Sequence, residues 1–140
     1  MLRIALIAAA ALFATPALAD PCKRIPDRGP MPPEFAPGRA FAGPVVYVGD
    51  GDSLCVETIP GRGGDGWVEV RLADFYAPEL NAAGGRAARQ ALADIAMRER
   101  VSCVAGRRSY DRVVARCTLN GVSLGDLMRG RGVREGGRGR

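Results

Sequence analysis

The chain has 140 residues, 20 basic and 15 acidic, with a formal charge of +5, 47% hydrophobic residues and no histidine. Without histidine there is no Ser-His-Asp or Cys-His nucleophile system, no histidine general base and no histidine-ligated zinc site. All of the basic residues but Lys23 are arginines, which suits bidentate binding of phosphate or carboxylate, although a GC-rich genome would produce the same bias.

Residues 1–19 read as an export signal. Arg3 supplies the positive start, an apolar run follows from Ile4 to Phe13, and Ala17-Leu18-Ala19 forms a small-x-small cleavage site. The apolar run is too short to span a bilayer unless it stays uncleaved as an anchor. Cleavage would leave Asp20 as the first mature residue, in the periplasm or outside the cell. Removal of Arg3 takes the net charge to +4. Residues 20–44 hold seven prolines and little periodicity, and predict an extended structural arm laid on the domain.

Residues 45–48 and 54–59 predict two β-strands flanking the acidic turn Gly49-Asp50-Gly51-Asp52-Ser53. The glycine-rich segment 61–66 lacks the Lys-Ser/Thr ending of a phosphate-cradling loop and no helix follows it, so it predicts a flexible hairpin loop. A third strand over 67–72 carries Arg71 and leads to the turn Ala77-Pro78-Glu79. The period then changes. Ala88, Ala91, Leu92 and Ile95 stand at i, i+3, i+4 and i+7, predicting an amphipathic helix over 86–98 with Arg86, Arg89 and Arg98 on its solvated face.

Strands over 101–104 and 113–119 follow, joined by residues 106–112. Asn120-Gly121 predicts a tight turn, and Ser123 with Asp126 a capped short helix whose stripe is Leu124, Leu127 and Met128. The Arg/Gly-rich tail, residues 134–140, predicts a solvated end without structure. Four cysteines in an exported chain, with no Cys-x-x-Cys pair, predict two disulfides. Cys103 and Cys117 lie symmetrically about Tyr110, as a bridge closing a hairpin would, which leaves Cys22 to pair with Cys55.

This order of elements predicts a mainly β, α+β domain over 45–133. Its layout is a five-stranded OB-fold barrel with a helix between strands 3 and 4 and a helix at the end. The polar residues concentrated in 45–79 serve no packed core, because an unpaired buried charge is costly. Carboxylates and arginines, with a hard-ligand metal where one is bound, suit phosphodiester hydrolysis: arginine forks clamp the charge of the transition state and a carboxylate orients or deprotonates water.

Three segments carry a resemblance. Gly49-Asp50-Gly51-Asp52-Ser53-Leu54, the pair Arg71-Leu72 with Ala77-Pro78-Glu79, and Tyr110-Asp111-Arg112 followed by a strand resemble the motifs of the staphylococcal nuclease (thermonuclease) family, in order and at compatible spacing. The resemblance covers about 45–133 and implies an OB-fold nuclease acting on DNA or RNA as a monomer. It implies that Arg71 and Arg112 hold the phosphate and stabilise the transition state, and that Glu79 acts on the attacking water. It also implies that Asp52 is a calcium ligand with Asp50 close to the ion. The chain departs from the pattern at Tyr76, where the family has a second metal aspartate, at Ala77, and at Asp111, where it has glycine. A phenol is a poor calcium ligand, so the ligand set is incomplete, and Asp74 stands two residues too early to replace it. The alternatives are a structural Arg71–Glu79 ion pair, turn-capping roles for Asp50 and Asp52, and a non-catalytic module that binds single-stranded nucleic acid or serves as an interaction domain.

Overall fold

The structure, a computed structural model, describes residues 20–136. The signal segment and the last four residues of the tail lie outside the described residues. Six strands and two helices follow in the order β1 (Ala40–Asp50), β2 (Ser53–Glu57), β3 (Trp67–Leu72), α1 (Gly85–Ala96), β4 (Arg100–Ser109), β5 (Arg112–Leu119), β6 (Val122–Ser123) and α2 (Leu124–Gly130). The sheet runs β3-β2-β1-β4-β5-β6, and a parallel pairing of β3 with β5 closes it into a five-stranded OB-fold barrel with β6 as a two-residue appendage. The mainly β class, the helix between strands 3 and 4 and the terminal helix are as the sequence predicts.

The main differences are at strand ends. β1 begins at Ala40, inside the segment that the prolines mark as arm, because one long strand has to serve two neighbours. Residues Ala40 to Pro44 pair with β4, and Val45 to Asp50 pair with β2, with irregularities at Val45/Tyr47 and Val48/Asp50 where the strand bends. β4 runs on to Ser109, so the seven-residue connection read from polar composition shrinks to a turn at Tyr110-Asp111, with Tyr110 at φ 59. Asn120 (φ 50) and Gly121 (φ 81) make the expected tight turn.

Alternation on the strands sends Val68, Val70, Leu72, Val101, Ala105, Val113 and Ala115 inward, all buried. The stripe of α1 caps one end of this core, with Ala88, Leu92 and Ile95 buried, while Leu124 and Met128 of α2 join it. Ser123 accepts a hydrogen bond from the Asp126 N–H at 3.0 Å, capping α2 as expected. Both disulfides form as paired from the sequence, Cys22–Cys55 and Cys103–Cys117, the latter between residues directly opposite in the β4–β5 ladder.

The arm packs against the barrel along its length. The Lys23 and Arg24 N–H groups donate to Gly64 O (2.8 Å) and Trp67 O (3.0 Å), and Phe35 is buried with its ring edge-on to Phe41. Arg108 donates to Pro26 O and Gly29 O, each at 2.6 Å. The glycine-rich loop therefore has a role that composition does not reveal. A Cβ at Gly64 would collide with Pro21 O, so the loop lets the arm backbone approach closely. No helix among the described residues is long and apolar enough to cross a membrane.

Candidate functional site

The outer face of the barrel carries the site because β-strand alternation leaves Glu69 and Arg71 of β3 pointing away from the core. The parallel ladder sets Glu69 opposite Arg112 and Arg71 opposite Val114. Arg71 and Arg112 thus stand diagonally on neighbouring strands and on the same face. Ser53 of β2 lies across from Arg71. Tyr110, 83% exposed, projects from the turn just before Arg112.

The acidic turn sits at the end of this face. The Asp52 N–H donates to Asp50 Oδ1 (3.0 Å), Leu72 N–H donates to Asp52 O (2.8 Å), and the buried Asp52 carboxylate accepts Ala77 N–H at Oδ2 (3.0 Å). Asp52 therefore ties the β1–β2 turn to the segment after β3. Gly51 makes this closeness possible. A Cβ there would stand 2.5 Å from the Ala77 Cβ and 2.6 Å from the Ala88 Cβ, so turn, loop and α1 meet only over a glycine. Burial first, and then the neighbouring Asp50 carboxylate, push Asp52 up to about 7, against the Ala77 N–H and the Arg71 charge. Burial also works to raise Asp50, but hydrogen bonds with Asp52 and Ser53 outweigh it and hold Asp50 below its ordinary value. The two carboxylates are thus pushed apart, Asp50 down and Asp52 up.

Glu79 is positioned by backbone packing. Its carbonyl accepts Ala82 N–H (2.9 Å), and a Cβ at Gly85 would collide with that carbonyl. Its exposed side chain lines a cleft between β1 and α1. The expected residues thus fall into two adjoining zones: Arg71, Arg112, Asp50 and Asp52 on the barrel face and turn, and Glu79 in the cleft.

Tyr76 does not supply a carboxylate, and Asp74 is turned elsewhere: it lies against Gly125 at the start of α2, with both carboxylate oxygens buried and without a hydrogen-bond partner. The tail departs from the sequence expectation. Glu135 accepts the Tyr76 N–H at 2.9 Å, and Gly136 N–H donates to Tyr76 O at 3.0 Å. Calcium takes six to eight oxygens. The Asp50–Asp52 pair, with one Asp52 oxygen already accepting Ala77 N–H, does not fit such a site.

Three carboxylates that sequence reasoning missed gather beside the β3–β5 ladder, where Glu69 is opposite Arg112. Asp20, Glu69 and Asp111 place one oxygen each within 4.8 Å of one another. The available signal was the position of Glu69 two residues before Arg71, hence on the same face; the approach of Asp20 depends on the arm. Burial, then the Asp20 charge, push Glu69 up to about 8, with Arg112 opposing and Asp111 adding to the rise.

A carboxyl whose folded value lies above its unfolded one binds more protons in the folded state, so its contribution to stability falls as pH rises across that interval. For Glu69 the interval runs from 4.5 to about 8. The melting temperature of Glu69→Gln minus that of the wild type is therefore expected to grow as pH rises through this window, measured by circular dichroism. A flat difference would show that Glu69 is not protonated in the folded domain at neutral pH.

No family model matches the chain, and no curated protein matches it.

Proposed function

We propose that this domain is an exported nuclease that hydrolyses phosphodiester bonds of DNA or RNA. The carrying observation is the parallel β3–β5 pairing, which sets Arg71 and Arg112 on one outer face beside the Asp50–Asp52 turn. Two guanidinium forks there meet the equatorial oxygens of a phosphoryl group whose charge grows in the transition state. Glu79, exposed at the lip of the adjoining cleft, orients or deprotonates the attacking water. Arg71 also opposes the rise of Asp52. Because the acidic pair does not fit calcium, no step is assigned to a metal. The two disulfides support an oxidising, extracytoplasmic location.

A second reading, a non-catalytic module that holds single-stranded nucleic acid, is favoured by the incomplete acidic set at Tyr76 and by the engagement of Asp52 with Ala77 N–H. Incubation with plasmid and single-stranded oligonucleotides, with calcium and with a chelator, separates the two. Slow cleavage that persists in chelator is the expected result. Absolute dependence on calcium would mean that the Asp50–Asp52 turn rearranges into a metal site. Binding without cleavage in any condition would establish the module.

A further inference from the structure

We propose that the cleft between β1 and α1 binds the single-stranded nucleic acid flanking the bond that is cut, with Arg86 taking a phosphate and Tyr47 stacking on a base. This inference rests on the reading of the barrel face as a phosphodiester site. The cleft has a volume of about 850 Å³, and its walls include Tyr47, Glu79, Leu80, Arg86, Arg89 and Met97.

Three observations carry the inference. The first is continuity. Tyr47 lines this cleft and also a small hollow bounded by Asp20, Gly49, Ser53 and Glu69. Glu69 is opposite Arg112 and Ser53 is opposite Arg71, so Tyr47 forms the ridge between cleft and arginine face. Gly49 keeps the ridge low, since a Cβ there would stand 2.8 Å from Ser53 Oγ and 3.6 Å from the Tyr47 ring.

The second is charge. Two arginines and one carboxylate line the cleft. Arg89 is partly committed, its Nε donating to Val48 O at 3.1 Å. Arg86 is exposed and makes no hydrogen bond or ion pair among the described residues. It stands in the first turn of α1, where the helix dipole disfavours a cation, so its charge does not stabilise its own helix. An anionic ligand would use it.

The third is surface type. Leu80 and Met97 are 38% and 41% exposed, and with the half-buried Tyr47 they give apolar area to the cleft that Arg86 also lines. A cation beside an aromatic face is the pattern that binds single strands, with phosphates on the charge and bases on the ring.

The test uses the mature chain and fluorescence anisotropy with a labelled, cleavage-resistant phosphorothioate decanucleotide and the matching dinucleotide. Arg86→Ala is expected to weaken decanucleotide binding about tenfold and to reduce the slope of log affinity against log salt by about 0.7. Dinucleotide binding should not change. Tyr47→Leu is expected to weaken decanucleotide binding by about tenfold with the slope intact, while Tyr47→Phe retains wild-type affinity.

Wild-type affinity in both Arg86→Ala and Tyr47→Leu would overturn the cleft while leaving cleavage at the arginine face standing. Polyglutamate competing as well as an oligonucleotide would overturn it too, by marking an acidic-peptide site. A wild type that binds through Arg86 without cutting would support the cleft and overturn the hydrolytic reading. A wild type that neither binds nor cuts would overturn both.

Discussion

Arg112→Ala is expected to lower phosphodiester cleavage by about 10² to 10³ in kcat, the loss typical of removing one preorganised transition-state donor. One electrostatic effect has to be separated from the result, because the Arg112 charge opposes the rise of Glu69 and its loss acts on that carboxyl too. Arg112 is half-exposed on the outer face of β5, and among the described residues its side chain has one long hydrogen bond, to Ser109 Oγ at 3.4 Å. Melting should therefore change little near pH 6, where Glu69 is protonated in both proteins, and fall at higher pH, where it ionises without its cation. Arg112→Lys keeps the charge but loses the planar fork, so it should restore only a small part of the rate. Arg71→Ala is expected to fall by a similar factor and, by removing a charge that opposes the rise of Asp52, to push that carboxyl higher still. Oligonucleotide kinetics and melting curves on the same samples decide the matter. Undiminished cleavage by folded Arg71→Ala and Arg112→Ala proteins would place the chemistry elsewhere.

The second large effect concerns stability. Replacing Cys22 and Cys55 together by alanine removes a bridge that spans 33 residues, which the chain-entropy model puts at about 3.7 kcal/mol. Against a total of about 5 to 15 kcal/mol for a domain, that is a substantial share, and melting should drop by roughly 10–20 °C. The loss should also be local. Lys23 and Arg24 dock by backbone hydrogen bonds to Gly64 and Trp67, next to the bridge, so trypsin should cut there far sooner in the variant. Breaking Cys103–Cys117, which spans 14 residues between strands already joined by a long ladder, should cost less. Equal melting and equal proteolysis of the Cys22/Cys55 variant and the wild type would show that the arm holds without its bridge.

The parts of this molecule that were legible in the sequence are those set by local periodicity. The 3.6-residue stripe of α1, the alternation on β3, the Asn120-Gly121 turn and the hairpin symmetry of Cys103 and Cys117 each depend on neighbours a few residues away. What depends on distant chain segments was not legible. The β3–β5 ladder brings Glu69 against Arg112, and neither residue signals the other. Asp20 reaches that pair through the arm, which the Cys22–Cys55 bridge and the backbone hydrogen bonds of Lys23 and Arg24 hold in place. Polar composition also misled where partners were hidden: Gly64 reads as loop flexibility but serves the arm, and Glu135 reads as tail but bonds to Tyr76.

Closure of the barrel by parallel strands has a consequence for how the chain reaches this structure. The β4–β5 hairpin needs only its own turn, but β3 and β5 must close their ladder across α1 and β4, which lie between them in sequence. Contacts of such long sequence separation slow folding toward the millisecond-to-second range of β-rich domains. Until the last ladder forms, β3 and β5 both present open edges rich in valine, able to pair with another copy of the chain. The two strands that carry Arg71 and Arg112 are thus also those whose meeting decides between a closed barrel and an aggregate, and refolding yield should fall steeply with protein concentration.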